Sequence, residues 1–180
     1  MAGSLSRDST EVDMPEKRTI ERAKRDKREG KSPGTQAGEF VREEIEHIRE
    51  GRHGARSASQ AIAIGLSKAR RAGVELPAPK EGEASEETRH NARNALEAGK
   101  HPHPVSRKRS RATEDALKRE GPAAASKTAL SRHAKAAARE RTPEERSQSA
   151  RTAAATKGPQ ERHEAARKAA PTRARNSAKE

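Results

Sequence analysis

The stretch SPGTQAGEFVREEIEHIREGRHGARSASQAIAIGLSKARRAGV (32–74) decides how this chain folds. Ser32-Pro33 marks a helix start. The serine hydroxyl can accept from an orphan N–H of the first turn, and proline at the first helical position has no N–H to leave unpaired. Ala37, Val41, Ile45 and Ile48 then follow i, i+4, i+8, i+11 spacing with Phe40 beside them, which makes one apolar face. Glu39, Glu43, Glu46 and Glu50 share the other side with Arg42 and Arg49, and Gly51 ends the helix. After the loop GRHGAR, Ser57-x-x-Gln60 is a capping-box pattern. The helix it opens runs to about Ala72, with Ala58, Ile62, Leu66 and Ala69 on one face and Ala61 and Gly65 as a flat small-residue strip beside them. Gly73-Val74 reads as a Schellman stop. Two helices joined by a short loop predict an antiparallel hairpin over 32–76.

Working outward, the chain offers little else to pack. Leu, Ile, Val and Phe number 16 of 180 residues, and nine of them lie between Phe40 and Leu76. That is about 9%, below the roughly 20% at which a highly charged chain is expected to be disordered. Most of the hydrophobic fraction is alanine, and Phe40 is the sole aromatic. The expected class is therefore mostly α: a small hairpin flanked by marginal helices and largely disordered basic arms. Such a unit is marginal alone, so a homodimer through the apolar hairpin face, or folding on a ligand, is expected.

The organisation follows from punctuation. Residues 1–14 read as a disordered leader, with Met14 before Pro15 as an alternative start. Residues 15–76 form the small helical unit, in which PEKRTIERAKRDKRE (15–29) is a solvated helix lacking an apolar face. Residues 77–105 are a linker (PAPKEG, 77–82), a weak helix from Ser85 to Gly99, and an extended His101-Pro-His-Pro104 stretch. Residues 106–180 are a basic Ala/Arg-rich tail. There PEERSQSARTAAATK (143–157) aligns with PQERHEAARKAAPTR (159–173), identical at eight of fifteen positions, a 16-residue repeat. No Leu, Ile, Val or Phe follows Leu130, so stacking these units would bury almost nothing; fluctuating helix is expected.

Charge carries the functional reading. Lys and Arg total 40 against 27 Asp and Glu, a net +13. Up to Lys80 the balance is 17 to 13, and beyond it 23 to 14, so the excess lies mainly in the C-terminal part. A polyanion is the expected partner. There is no cysteine, hence no disulfide or thiol chemistry, and no apolar run long enough for a membrane span.

Catalytic constellations are missing. Glu44-x-x-His47 has the spacing of half a di-metal carboxylate site, but a single copy on a charged helix reads as a solvated face. His101 and His103 read as linker. No nucleophile elbow, phosphate loop or glycine fingerprint occurs. The chain is expected to be no enzyme, with no metal and no cofactor.

The expected phosphate contacts are Arg52 and Arg56 flanking the loop, Lys68, Arg70 and Arg71 at the end of the second helix, and Arg107, Lys108, Arg109 and Arg111 in the RKRSR run. Lys68, Arg70 and Arg71 are explained equally well by the macrodipole of their own helix. Base-stacking aromatics are absent. Tail arginines at 141, 146, 151, 162 and 167 recur near every fifth residue, about 500° around a helix, so they form no single stripe.

The blocks TQAGEFVREEIEHIREG (35–51) and QAIAIGLSKARRAG (60–73), with MPEKRTIERAKRDKREG (14–30) before them, resemble a bacterial family of small basic proteins carrying a domain of unknown function and often labelled DNA-binding. The likeness covers residues 14–100. It implies DNA binding, as the charge does, without a base-reading motif. The expectation is non-enzymatic, largely sequence-nonspecific binding of nucleic acid, DNA favoured over RNA, in the cytoplasmic nucleoid. The alternatives are a hydrophilic protective protein of the stress type and a small RNA or ribonucleoprotein partner.

Overall fold

The computed structural model describes residues 15–101 and 106–177, all of whose regular elements are helical. The expected leader at 1–14 and His103 of the extended stretch lie outside them. The elements are α1 (Lys17–Arg28), α2 (Pro33–Arg49), α3 (Ala58–Arg71), α4 (Glu86–Lys100), α5 (Arg107–Lys118), a 3-10 turn (Pro122–Ala125), α6 (Lys127–Glu140) and α7 (Pro143–Ser177).

Local chemistry sets most boundaries. The N–H of Thr35 donates to Ser32 Oγ, that of Gln60 to Ser57 Oγ and that of Thr88 to Ser85 Oγ, so α2, α3 and α4 each begin on a serine cap. In the second of these, Gln60 Oε1 accepts from Arg56 N–H at 2.7 Å, one residue earlier than a standard capping box. α3 ends as expected: Gly73 takes φ +87°, Gly73 N–H donates to Arg70 O and Val74 N–H to Ala69 O. α1 and α2 end in the same way on Gly30 and Gly51.

Two compact units are distinguishable, residues 1–133 and 134–180. In the first, α2 packs on α3 and α1, and α4 packs on α3. Two apolar clusters hold it. One joins Ala23 of α1, Ala37 and Phe40 of α2, Ala69 of α3 and Val74, with Ile20, Leu66 and Leu76 at its edge. The other joins Ile45 and Ile48 of α2, Ala55, Ala61 of α3, and Ala124 and Ala125 of the 3-10 turn, with Val41 and Leu130 at its edge.

Two expectations fail against the structure. The segment 15–29 is no solvated helix: Thr19, Ala23 and Asp26 are buried, and Ile20 reaches the Phe40 cluster. The buried side of α3 is carried by small residues of both the strip and the face beside it, rather than by the large apolar ones. Ala58, Ala61, Gly65 and Ala69 are buried, while Ile62 and Leu66 are only partly so. The reason is steric, since a Cβ on Gly65 would lie 2.6 Å from Val41 Cα, and the two backbones touch there. Within the chain, α1 and the 3-10 turn pack onto residues of the apolar face of α2.

The second unit contains the end of α6 and all of α7. Thr142 and Glu145 form a reciprocal capping box, Thr142 N–H to Glu145 Oε2 at 2.8 Å and Glu145 N–H to Thr142 Oγ1 at 3.2 Å. Gly158, at φ +65° and ψ 171°, interrupts α7 where the two sequence repeats meet. No described side chain of this unit is buried.

Candidate functional site

Glu44 sits four residues from Phe40 and four from Ile48, so it shares their inward face, and it is completely buried. Lys68 lies three residues beyond Gly65 on the buried strip of α3. Their heads meet, Lys68 Nζ to Glu44 Oε2 at 2.9 Å. Removing a lone carboxylate from water costs several kcal/mol, and the ammonium offsets that only because both are held in register by packed helices.

The loop brings a third group. At Gly51 (φ +73°) the chain turns back over α2, with Arg52 N–H donating to His47 O, and places His53 inside. Segment 117–121 clamps this turn: Gly54 N–H donates to Leu117 O at 2.9 Å and Ala55 N–H to Gly121 O at 3.4 Å. Only glycine fits at 54, where a Cβ would stand 2.0 Å from Glu120 O. His53 Nδ1 then contacts Gly54 O at 3.2 Å, and His53 Nε2 lies 3.4 Å from Glu44 Oε1.

A second layer surrounds His47, one turn after Glu44 and also buried. Its Nε2 lies 3.3 Å from Glu16 Oε1 and 2.9 Å from Arg52 Nη1, while its Nδ1 has no hydrogen-bond partner among the described residues. The hydrogen bond from His47, followed by that from Arg18, holds the Glu16 carboxyl below its usual range. Buried Glu43 accepts the Glu16 N–H at 3.1 Å, so α2 places a carboxylate at the positive end of α1. Glu43, Glu44 and His47 therefore do not lie on a solvated face; α1 and the loop cover them.

The expected phosphate contacts divide. Lys68 is committed to Glu44. Arg70 is buried and donates to the carbonyls of Leu76 and Pro77, both at 3.0 Å; burial lowers its pKa. These two are structural, because the end of α3 carries them into the core and onto the following chain. Arg52 is engaged by Glu16 and by Glu50 at 2.9 Å. Arg56 and Arg71 are exposed, as are Arg107, Lys108, Arg109 and Arg111, which fill the first turns of α5. Sequence reading missed the buried cluster, although Glu44 at the shared spacing of Phe40 and Ile48 was a visible signal.

No family model, no curated protein and no solved structure matches the chain, so the likeness read at residues 14–100 rests on those residues alone. Among the described residues no helix is long and apolar enough to cross a membrane.

Proposed function

We propose that this protein binds nucleic acid without enzymatic activity and with little sequence preference, through exposed Lys and Arg of α5 and the C-terminal arm, with the α1–α4 body as anchor. One observation carries the reading. Arg107, Lys108, Arg109 and Arg111 are all exposed on the first turns of α5, with no acidic residue in the first turn and no side-chain cap on Ser106. Four cations at the positive end of a helix dipole repel one another and weaken the helix. A polyanion laid on them reverses both effects, and such an end also presents free N–H groups to phosphate. The tail adds twelve Lys and Arg against six acidic residues over 134–180, a further +6.

In this reading the paired helices of 32–76 serve as a hairpin core, and the arm is unpinned because none of its described side chains is buried. Duplex DNA is the favoured ligand and the nucleoid the place of action. Arg56 and Arg71 extend the contact surface; Lys68 and Arg70 do not belong to it.

The test is a salt titration of binding to duplex DNA, single-stranded DNA and RNA by the full chain. Affinity is expected to fall linearly with salt on logarithmic axes. Replacing Arg107, Lys108, Arg109 and Arg111 together by Gln should flatten the slope for duplex by about 3–4, near 0.9 per lost phosphate contact. Binding that is absent, or that is indifferent to salt, sinks the proposal; preference for RNA would move it to a different partner.

A further inference from the structure

We propose that Glu44, His47 and His53 hold one divalent transition-metal ion, structural in role, that ties the 51–56 loop to α2. One nitrogen from each ring and one carboxylate oxygen lie within 4.8 Å of one another, and all three residues are buried. Zinc bonds of about 2.0–2.1 Å at a tetrahedral angle separate two ligand atoms by about 3.3 Å. His53 Nε2 and Glu44 Oε1 are already 3.4 Å apart, so small side-chain rotations close the set.

Gly54 O can only accept, so His53 Nδ1 carries the hydrogen and Nε2 turns a lone pair toward a carboxylate oxygen. Two acceptors face to face need a cation between them, a second proton or a metal ion. Glu44 Oε1 has no hydrogen-bond partner among the described residues, and Lys68 stands at the other oxygen, as an outer partner stands behind a metal-bound carboxylate. His47 Nε2 cannot both donate to Glu16 and accept from Arg52. The Arg52 contact is the shorter, 2.9 Å against 3.3 Å, so binding an ion requires Arg52 to turn to Glu50 and the His47 proton to sit on the Glu16 bond. That leaves the lone pair on His47 Nδ1, the nitrogen without a partner, and gives the carboxylate–histidine arrangement that orients metal ligands. Charge agrees: with neutral rings, the buried groups here are two carboxylates, Glu43 and Glu44, against the single ammonium of Lys68.

Two imidazoles and a carboxylate suit zinc, cobalt, nickel or iron(II) better than magnesium or calcium. Side-chain exposures of 0% for Glu44, 4% for His47 and 1% for His53 leave a substrate no approach, hence the structural role. Three protein ligands are one short of a closed structural site, so a moderate affinity is expected.

The full chain, stripped with a chelator, is titrated with Zn(II) and separately with Co(II), reading thermal unfolding and cobalt d–d absorption. The expected result is one equivalent bound and a midpoint raised by about 5–10 °C at a hundredfold excess over Kd. Both signals should vanish in His53→Gln and in His47→Gln, and persist when His101 and His103 are both changed to Gln. No shift means that a proton alone fills the cluster, and overturns the proposal. A shift that survives both His47→Gln and His53→Gln overturns it too, since the ion then sits elsewhere. Should either variant fail to fold, ring 15N resonances of the unmutated protein decide. Movement of those of His47 and His53 on adding zinc supports the site, and movement confined to other histidines overturns it.

Discussion

α2 and α7 start alike and are held differently. Each opens on a hydroxyl cap, Ser32 for one and Thr142 for the other. α2 has 17 residues, eight of them buried, whereas α7 spans 35 residues with none of its described side chains buried. The cap of either helix acts within its first turn. Beyond that turn α2 is fixed by what it touches, and α7 only by the helix propensity of its alanines and charged residues. A single substitution in α2 is therefore felt across the body, while the same kind of change in α7 stays local.

The harshest way to break that contrast is Glu44→Ala, which takes the Glu44 carboxylate from the buried Lys68 ammonium. A loss of about 3–5 kcal/mol in the denaturant unfolding of the body is expected. Glu44→Leu combined with Lys68→Met should recover most of it, because an apolar pair of similar volume replaces the ion pair. A double variant no better than the single one would mean that the groups around the pair matter more than its charges.

Next comes Gly65→Ala, where the new Cβ meets Val41 Cα at 2.6 Å. Overpacking of this kind costs about 1–3 kcal/mol. Gly38→Ala on exposed α2 surface, with nothing within 4 Å, should instead stabilise by about 1 kcal/mol through helix propensity. Equal signs for the two would remove the close approach as the explanation.

Thr142→Ala should cost the tail helix about 0.5–2 kcal/mol, read as faster amide exchange at 143–146. The unfolding midpoint of the body should not move. If it does, the two regions are not energetically separate.

The smallest effect is electrostatic and lies on α4. Glu86 is held below its usual range, mainly by the hydrogen bond from Arg93 and by the charge of Arg89. A carboxylate whose folded value is depressed adds stability above its unfolded value near 4.5, and loses it as pH falls through the folded one. Helicity at the start of α4 should accordingly fray as pH falls below 4.5 and through the depressed folded value, less so in high salt. Glu86→Gln should abolish this pH dependence.

Sequence legibility followed the range of the interaction. Ser32, Ser57, Ser85 and Thr142 act on residues three positions away, and Gly73 on its own turn, so starts and stops could be read directly. The mostly helical class followed from the same signals. Docking of α1 could not be read from PEKRTIERAKRDKRE, because its buried positions are Thr19, Ala23 and Asp26, which look like surface residues. The buried cluster was hidden for a related reason. Its members come from α2, the loop and α3, and a charged residue is taken for exposed until its partner from another element is known. The spacing Phe40, Glu44, Ile48 would have shown the conflict, since a glutamate stood in the middle of an apolar stripe.

The small-residue packing of the body has a thermal consequence. Among the described residues, ten of the fourteen buried hydrophobic ones are alanines, so unfolding exposes little apolar surface per residue. The heat-capacity change should then fall below the usual 12–15 cal/mol/K per residue, approximately, and the stability curve should be shallow. Such a body loses little by cooling and responds weakly to temperature over a wide range; calorimetry would find a broad, low dome in place of a sharp optimum.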